Sequence, residues 1–160
     1  MRMIARSIEW VGRTLAWLML AMVIVTVVVV IARYLFDAGW IALQESVTWL
    51  HGVALMLGLA YTLKHDAHVR VDVLYRRFGE RGRAWVDLVG TVVLLLPLCA
   101  YVAWSSWDYV AASWSVGERS REAGGLPGLF LLKTAIPVAA ALLALQGITM
   151  AAAALRVLRR

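Results

Sequence analysis

Four long apolar runs separated by short polar connections restrict this chain to a small set of folds. They cover about residues 14–34, 45–63, 85–107 and 128–155. Each comes near or exceeds the roughly 18 residues that carry a helix across a hydrocarbon core about 30 Å thick. Hydrophobic residues make up 62% of the sequence, far above the roughly 45–50% of a soluble domain. In lipid the backbone finds no water, so a spanning segment has to close its hydrogen bonds internally as a helix. The β-branched string at 23–31 is therefore helical in spite of its strand propensity. The expected fold is an all-α membrane protein whose four transmembrane helices form two hairpins. A basic start before an apolar core also outlines a signal peptide. The core of the first run exceeds the usual 7–15 residues, however, and no small-x-small cleavage site precedes Arg33, so the run is expected to stay as a helix.

The polar connections orient the hairpins. Six of the sixteen Lys and Arg residues lie in 64–83, three precede the first run and three close the chain, against Arg33, Arg119 and Arg121 in the other two connections. Lys133 lies within the fourth run. Positive clusters resist translocation, so both termini and the 64–83 segment are expected on the cytoplasmic side of a bacterial inner membrane. Within 66–81, Val69, Val71 and Val73 alternate as in a strand. Val71, Leu74, Tyr75 and Phe78 recur at helical spacing. The expectation is a short amphipathic helix lying on the bilayer surface with its arginines at lipid phosphates; a solvated loop is the alternative.

Charged groups inside a membrane segment cost roughly 2.5–3.5 kcal/mol each near its centre, so each needs a partner or an exit. Glu45, Thr48 and His51 are spaced three apart on one helix face. Arg33, Glu45, His51 and Lys133 are therefore the candidate intramembrane polar contacts, with Glu45 paired to Lys133 or Arg33. A sharper reading makes Glu45 the proton carrier of a self-contained small exporter. Another makes His51 a haem ligand in the anchor of an electron-transfer complex, but paired axial histidines on facing helices are missing. His65, Asp66, His68 and Asp72 resemble a loose metal cluster, yet a third strong ligand in fixed geometry is absent, and local caps and hydrogen bonds are the expected use. Asp66 or Asp72 is a partner for Arg70 or Arg76.

Several function classes fall away. The net charge of +6 sits at the ends of apolar runs rather than on one soluble face, which speaks against nucleic acid as a partner. Cys99 is the one cysteine and supplies no redox pair. Gly124, Gly125 and Pro127 mark turns and a helix start, and no Lys-Ser or Lys-Thr follows to make a phosphate loop. No nucleophile, base and orienting group assemble, so the chain is not expected to be an enzyme, and no cofactor or metal is expected in it. Pro97 should disturb the third run near Leu94. The spacing of Ala140 with Ala144 and of Gly147 with Ala151 permits close helix approach.

The segment HDAHVRVDVLYRRF after the second run resembles a signature of the small, Q-type membrane subunit of tripartite ATP-independent periplasmic (TRAP) transporters. The motif residues are His68, Val69, Arg70, Val71 and Asp72. GWIALQESVTWLH at 39–51 and EAGGLPGLFLLKTAIPVAAALLALQG at 122–147 extend the likeness over nearly the whole chain. The resemblance implies a multi-pass scaffold that supports a large TRAP membrane subunit in uptake driven by an ion gradient, usually sodium. The ion would bind that partner, and a periplasmic substrate-binding protein would deliver a small organic acid. Glu122, Gly124, Gly125 and Pro127 lie in the expected outer loop, where the two readings are a docking surface for the periplasmic protein and a plain turn. The QES and EAGGLPG blocks look like the branch associated with 2-oxo acids, lactate-like acids, and mannitol or chloroaromatic compounds.

Overall fold

A computed structural model describes residues 2–68, 72–75 and 77–159, and these are almost wholly helical. Helix α1 spans Arg2–Phe36, α2 Ile41–Lys64, α3 the single turn Asp72–Tyr75, and α7 Leu129–Leu158. The third long helix, Glu80–Ser115, is nearly continuous. It is built from α4 (Glu80–Val89), a π-helical segment (Gly90–Leu95), α5 (Leu96–Ser105) and α6 (Trp107–Ser115). Four of these helical stretches are long and apolar enough to cross a membrane.

The helices overrun the apolar runs. At 1.5 Å per residue, the 35 residues of α1 extend about 50 Å, well beyond the hydrocarbon thickness. The extra turns at its start bury Ile8, so the polar N-terminal stretch is held by packing rather than by lipid. Helices α1 and α2 both stop at an aspartate in the left-handed region, Asp37 (φ 50°) and Asp66 (φ 55°). The chain then folds back on the last turn, with Ala38 N–H donating to Ala32 O at 3.0 Å and Ala67 N–H to Thr62 O at 3.0 Å. Aspartate tolerates that conformation better than most side chains, and the reversal satisfies carbonyls at the helix end.

Pro97 leaves its mark one turn upstream. A proline removes a backbone donor and presses on the carbonyl four residues before it. The helix widens to π geometry over Gly90–Leu95, which makes room for the ring while the helix carries on into α5. Pro137 lies inside α7, which continues through it to Leu158.

Helix α7 is the hub, packing against α2 and against the third helix along its length. Apart from Gln146, its buried face is made of small residues. Ala140, Gly147 and Ala154 recur every seven positions, with Ala135, Ala139 and Ala151 beside them, while Ala144 is half-buried. A methyl group built on Gly147 would come within 2.9 Å of Leu95 Cδ2 and 3.3 Å of Thr91 Cγ2. The π-helical segment therefore seats directly on that glycine. Small residues earn such proximity in lipid, where dispersion between close backbones holds helices together. Large side chains point away: Trp17, Leu20, Ile24 and Val27 on α1, and Val93, Leu94 and Leu98 on the third helix, are exposed on the isolated chain.

Among the described residues of the segment expected as an amphipathic helix over 66–81, one helical turn, Asp72–Tyr75, precedes α4. Phe78 N–H closes back on Tyr75 O at 3.2 Å, and Gly79 is extended, forming the entry to α4. Val69, Arg70, Val71 and Arg76 lie outside the described residues, and with them most of the His68–Asp72 motif and the expected pairs to Arg70 and Arg76.

Candidate functional site

The polar side chains gather at the two ends of the helix bundle. One end holds the start of α1, the described residues of 64–83 and the end of α7; the other holds the turn at 37–40 and the loop at 116–128. At the arginine-rich end, Glu9 is the acid on which the connection after α2 is fastened. Its Oε2 accepts from Lys64 Nζ at 2.5 Å and lies 3.0 Å from His65 Nε2, and its Oε1 faces Arg13 Nε at 3.4 Å. The His65 ring leans on Tyr61, centroids 4.4 Å apart. A methyl group on Gly12 would overlap the same Tyr61 ring, so the close crossing of α1 and α2 requires glycine there. Nearby, Tyr75 donates to Asp87 Oδ2 at 2.9 Å, and the Arg83 guanidinium lies 5.6 Å from the Tyr75 ring centre.

At the loop end, Glu45 does not pair with Lys133 or Arg33 as expected. Its Oε1 accepts from Ser120 Oγ, and its Oε2 accepts from Leu126 N–H at 2.7 Å. Lys133 instead gives its ammonium to Glu118 Oε2, which also receives Ser113 Oγ at 2.5 Å. The ammonium sits 4.0 Å from the Tyr109 ring centre as well, a cation–π contact. The physical reason for the change is local. Glu118 N- and C-terminal neighbours fold the loop back so that Leu129 N–H reaches Glu118 O at 2.9 Å, which places the Glu118 carboxylate over the first turns of α7. Lys133 lies on those turns. Glu45, one helix away, is left to hold the loop backbone. The Lys133 hydrogen bond, aided by Ser113, draws the Glu118 carboxyl below the usual carboxylate range against an opposing desolvation.

The loop itself is compact. Ser120 N–H donates to Leu126 O at 3.1 Å and Gly125 N–H to Glu122 O at 3.0 Å, and Arg119 and Pro127 form an isolated antiparallel bridge. A side chain at Gly125 would collide with Ser120 Oγ at 2.5 Å and Glu45 Oε2 at 2.8 Å, so the QES and AGGLPG blocks are spatially one unit. Glu122, Gly124 and Pro127 are exposed on its outer surface. Trp114 anchors the other side, with Nε1 donating to Thr134 Oγ1 at 2.9 Å and its ring 4.5 Å from Phe130.

Arg33 is exposed and pairs with no described residue. His51 is exposed on the wall of a groove of about 460 Å³ between α1 and α2, which it shares with His68. His68 turns back along α2 to reach Leu59 O at 3.2 Å. Among the described residues, no group of three or more His, Cys, Asp or Glu is placed to hold a metal ion.

Sequence reasoning passed over Glu9 and Glu118. Glu9 carried a usable signal, being the one acid before residue 37 in a stretch that must bring arginines and an apolar helix together. Glu118 had none, because a loop acid flanked by Arg119 and Arg121 reads as solvated. In both clusters carboxylates are spent on N–H and O–H donors from other segments. Such an arrangement fastens helix ends and loops.

A family model described as "Tripartite ATP-independent periplasmic transporters, DctQ component" matches residues 22–157. No curated protein matches the chain.

Proposed function

We propose that this chain, which belongs to the DctQ component family of tripartite ATP-independent periplasmic transporters, is the fixed scaffold of a secondary-active importer. It is a multi-pass inner-membrane transport component. In this reading it binds a large membrane subunit that carries the coupling ion, sodium, and the substrate, a small organic acid. A periplasmic binding protein brings that substrate to the outer face, and the chain itself carries out no catalysis.

The observation that carries the scaffold role is the use made of the polar groups. Glu9, Glu45 and Glu118 each hold two segments together, while the long faces of α1 and the third helix remain apolar and exposed. Lipid and another membrane protein suit such faces; a hydrated solute does not. Orientation follows from charge: in the sequence, the N-terminal stretch, residues 64–83 and the C-terminal stretch hold twelve of the sixteen Lys and Arg residues, and the end with Glu9, Lys64 and the last turn of α7 is assigned to the cytoplasm. The loop around Glu122, Gly124, Gly125 and Pro127 then faces the periplasm, where the binding protein docks. The test is reconstitution of this chain in proteoliposomes alone, and with its large subunit and binding protein. Ion-gradient-driven uptake is expected in the second preparation and absent in the first.

A further inference from the structure

His51 is an ionisable group at mid-depth in a spanning helix. It lies about 15 Å along α2 from Ile41 and about 20 Å from Lys64, well inside a hydrocarbon core about 30 Å thick. Its side chain is exposed on the isolated chain and makes no hydrogen bond to a described residue. Thr48, His51, Leu55 and Leu59 are all exposed and form one stripe along the helix. Thr48 leaves its hydroxyl unused as well: Thr14, Thr26, Thr62 and Thr134 each donate to a carbonyl four residues back, whereas Thr48 donates to no described residue. An imidazole at this depth is costly. Acyl chains offer nothing to its N–H or to its acceptor nitrogen, and its short side chain cannot carry the ring to the headgroups as a lysine or arginine would.

The groove of about 460 Å³ between α1 and α2 opens beside this stripe, with Ala16 and Met19 of α1 and His51 and Leu55 of α2 on its walls. We infer that it receives a spanning helix of the large membrane subunit, and that this helix presents a hydroxyl or amide side chain (Ser, Thr, Asn or Gln) to His51. A lipid tail would match the apolar walls and leave the imidazole unpaired. A helix carrying one polar side chain satisfies both, in the way polar residues join helices in lipid. Neutral imidazole has one donor and one acceptor, so a hydroxyl or amide completes it without bringing a further charge into the core. The exposed face of the third helix at Val93, Leu94 and Leu98 is then left to lipid. The inference rests on the scaffold reading above and adds which face of the chain the large subunit uses.

The test titrates fluorescently labelled full-length chain against the labelled large subunit, both reconstituted in phosphatidylcholine vesicles, and reads their association by energy transfer. His51→Leu should weaken association about three- to ten-fold, the loss of one interhelical hydrogen bond. The Tm of the chain alone should stay the same or rise, since an unpaired polar group has left the lipid. His51→Gln, which keeps a donor and an acceptor, should recover most of the affinity. Ala16→Phe, which fills the groove from its α1 wall, should weaken association at least as much as His51→Leu, and Leu98→Phe on the third helix should leave it unchanged. Equal affinity of the natural chain, His51→Leu and Ala16→Phe would overturn the groove as the interface while the scaffold reading stands. Loss in Leu98→Phe alone would overturn it in favour of the third helix. Energy transfer between two labelled copies of this chain, abolished by His51→Leu, would overturn it in favour of a second copy. No association of the natural chain with the large subunit would overturn the scaffold reading and this inference with it.

Discussion

Glu9 and Lys64 are 55 positions apart in the chain and meet at 2.5 Å, Oε2 to Nζ. Their contact ties the start of α1 to the end of α2, just where α2 reverses at Asp66. His65 approaches the same oxygen at 3.0 Å, so one carboxylate holds the helix end and the first residue after it. Glu9→Gln should loosen both. We expect a several-fold lower yield of folded protein. Combining it with Lys64→Met should cost little more than either change alone, because both remove the same contact. Yields that fall independently for the two variants would place their effects elsewhere.

Glu45 holds the 116–128 loop through Ser120 and Leu126 N–H. Glu45→Ala leaves that backbone donor without its acceptor, and the loop should open locally before the helices do. Trypsin cleavage after Arg119 and Arg121 is expected to speed up several-fold in Glu45→Ala, and to a smaller degree in Ser120→Ala. Unchanged cleavage would show that the loop is held by its own turns.

The Glu118–Lys133 pair predicts a pH dependence of definite sign. The Glu118 carboxyl titrates lower in the folded chain than in the unfolded one, so its contribution is fully present above the unfolded value, about 4.3. It is lost as pH falls through the lower folded value. Thermal unfolding followed between pH 6 and pH 3 should therefore show a steeper acid loss for the natural sequence than for Lys133→Met, in which the cause of the depression is gone. Parallel curves would contradict the pairing.

Gly147 is the seat of the π-helical segment, so its enlargement tests the packing of the third helix on α7. Gly147→Val drives methyl groups into Leu95 and Thr91, and overpacking of this kind costs about 1–3 kcal/mol. The expected result is a Tm lower by several degrees, with helix content by circular dichroism unchanged. A Tm equal to that of the natural sequence would mean the two helices separate at no cost.

The architecture was legible because lipid leaves so few choices. Runs as apolar as 14–34 and 85–107 have one way to satisfy their backbone, so four helices follow from hydropathy alone, and the clustering of arginines separates the two ends. The pairing of charges was not legible. Glu118 is only 15 positions from Lys133, far nearer in the chain than Glu45, but its carboxylate is brought over the first turns of α7 by a loop reversal at 117–129 that hydropathy does not encode. Pro97 announced a disturbance near Leu94, but not its form, a π-helical widening over Gly90–Leu95 that seats on Gly147. The extension of α1 back to Arg2 was hidden because it is held by tertiary contacts, Ile8 being buried and Glu9 held by Lys64, rather than by hydropathy. Of the four small residues on α7 expected at a packing face, Ala140, Gly147 and Ala151 are buried and Ala144 is half-buried.

The central claim is that this chain supports transport without performing it. The most direct measurement is substrate uptake into proteoliposomes under an inward sodium gradient, with a candidate organic acid and its binding protein outside. With this chain as the sole membrane component, no uptake above the lipid background is expected, and addition of the large subunit should restore it. Accumulation by this chain alone would contradict the account.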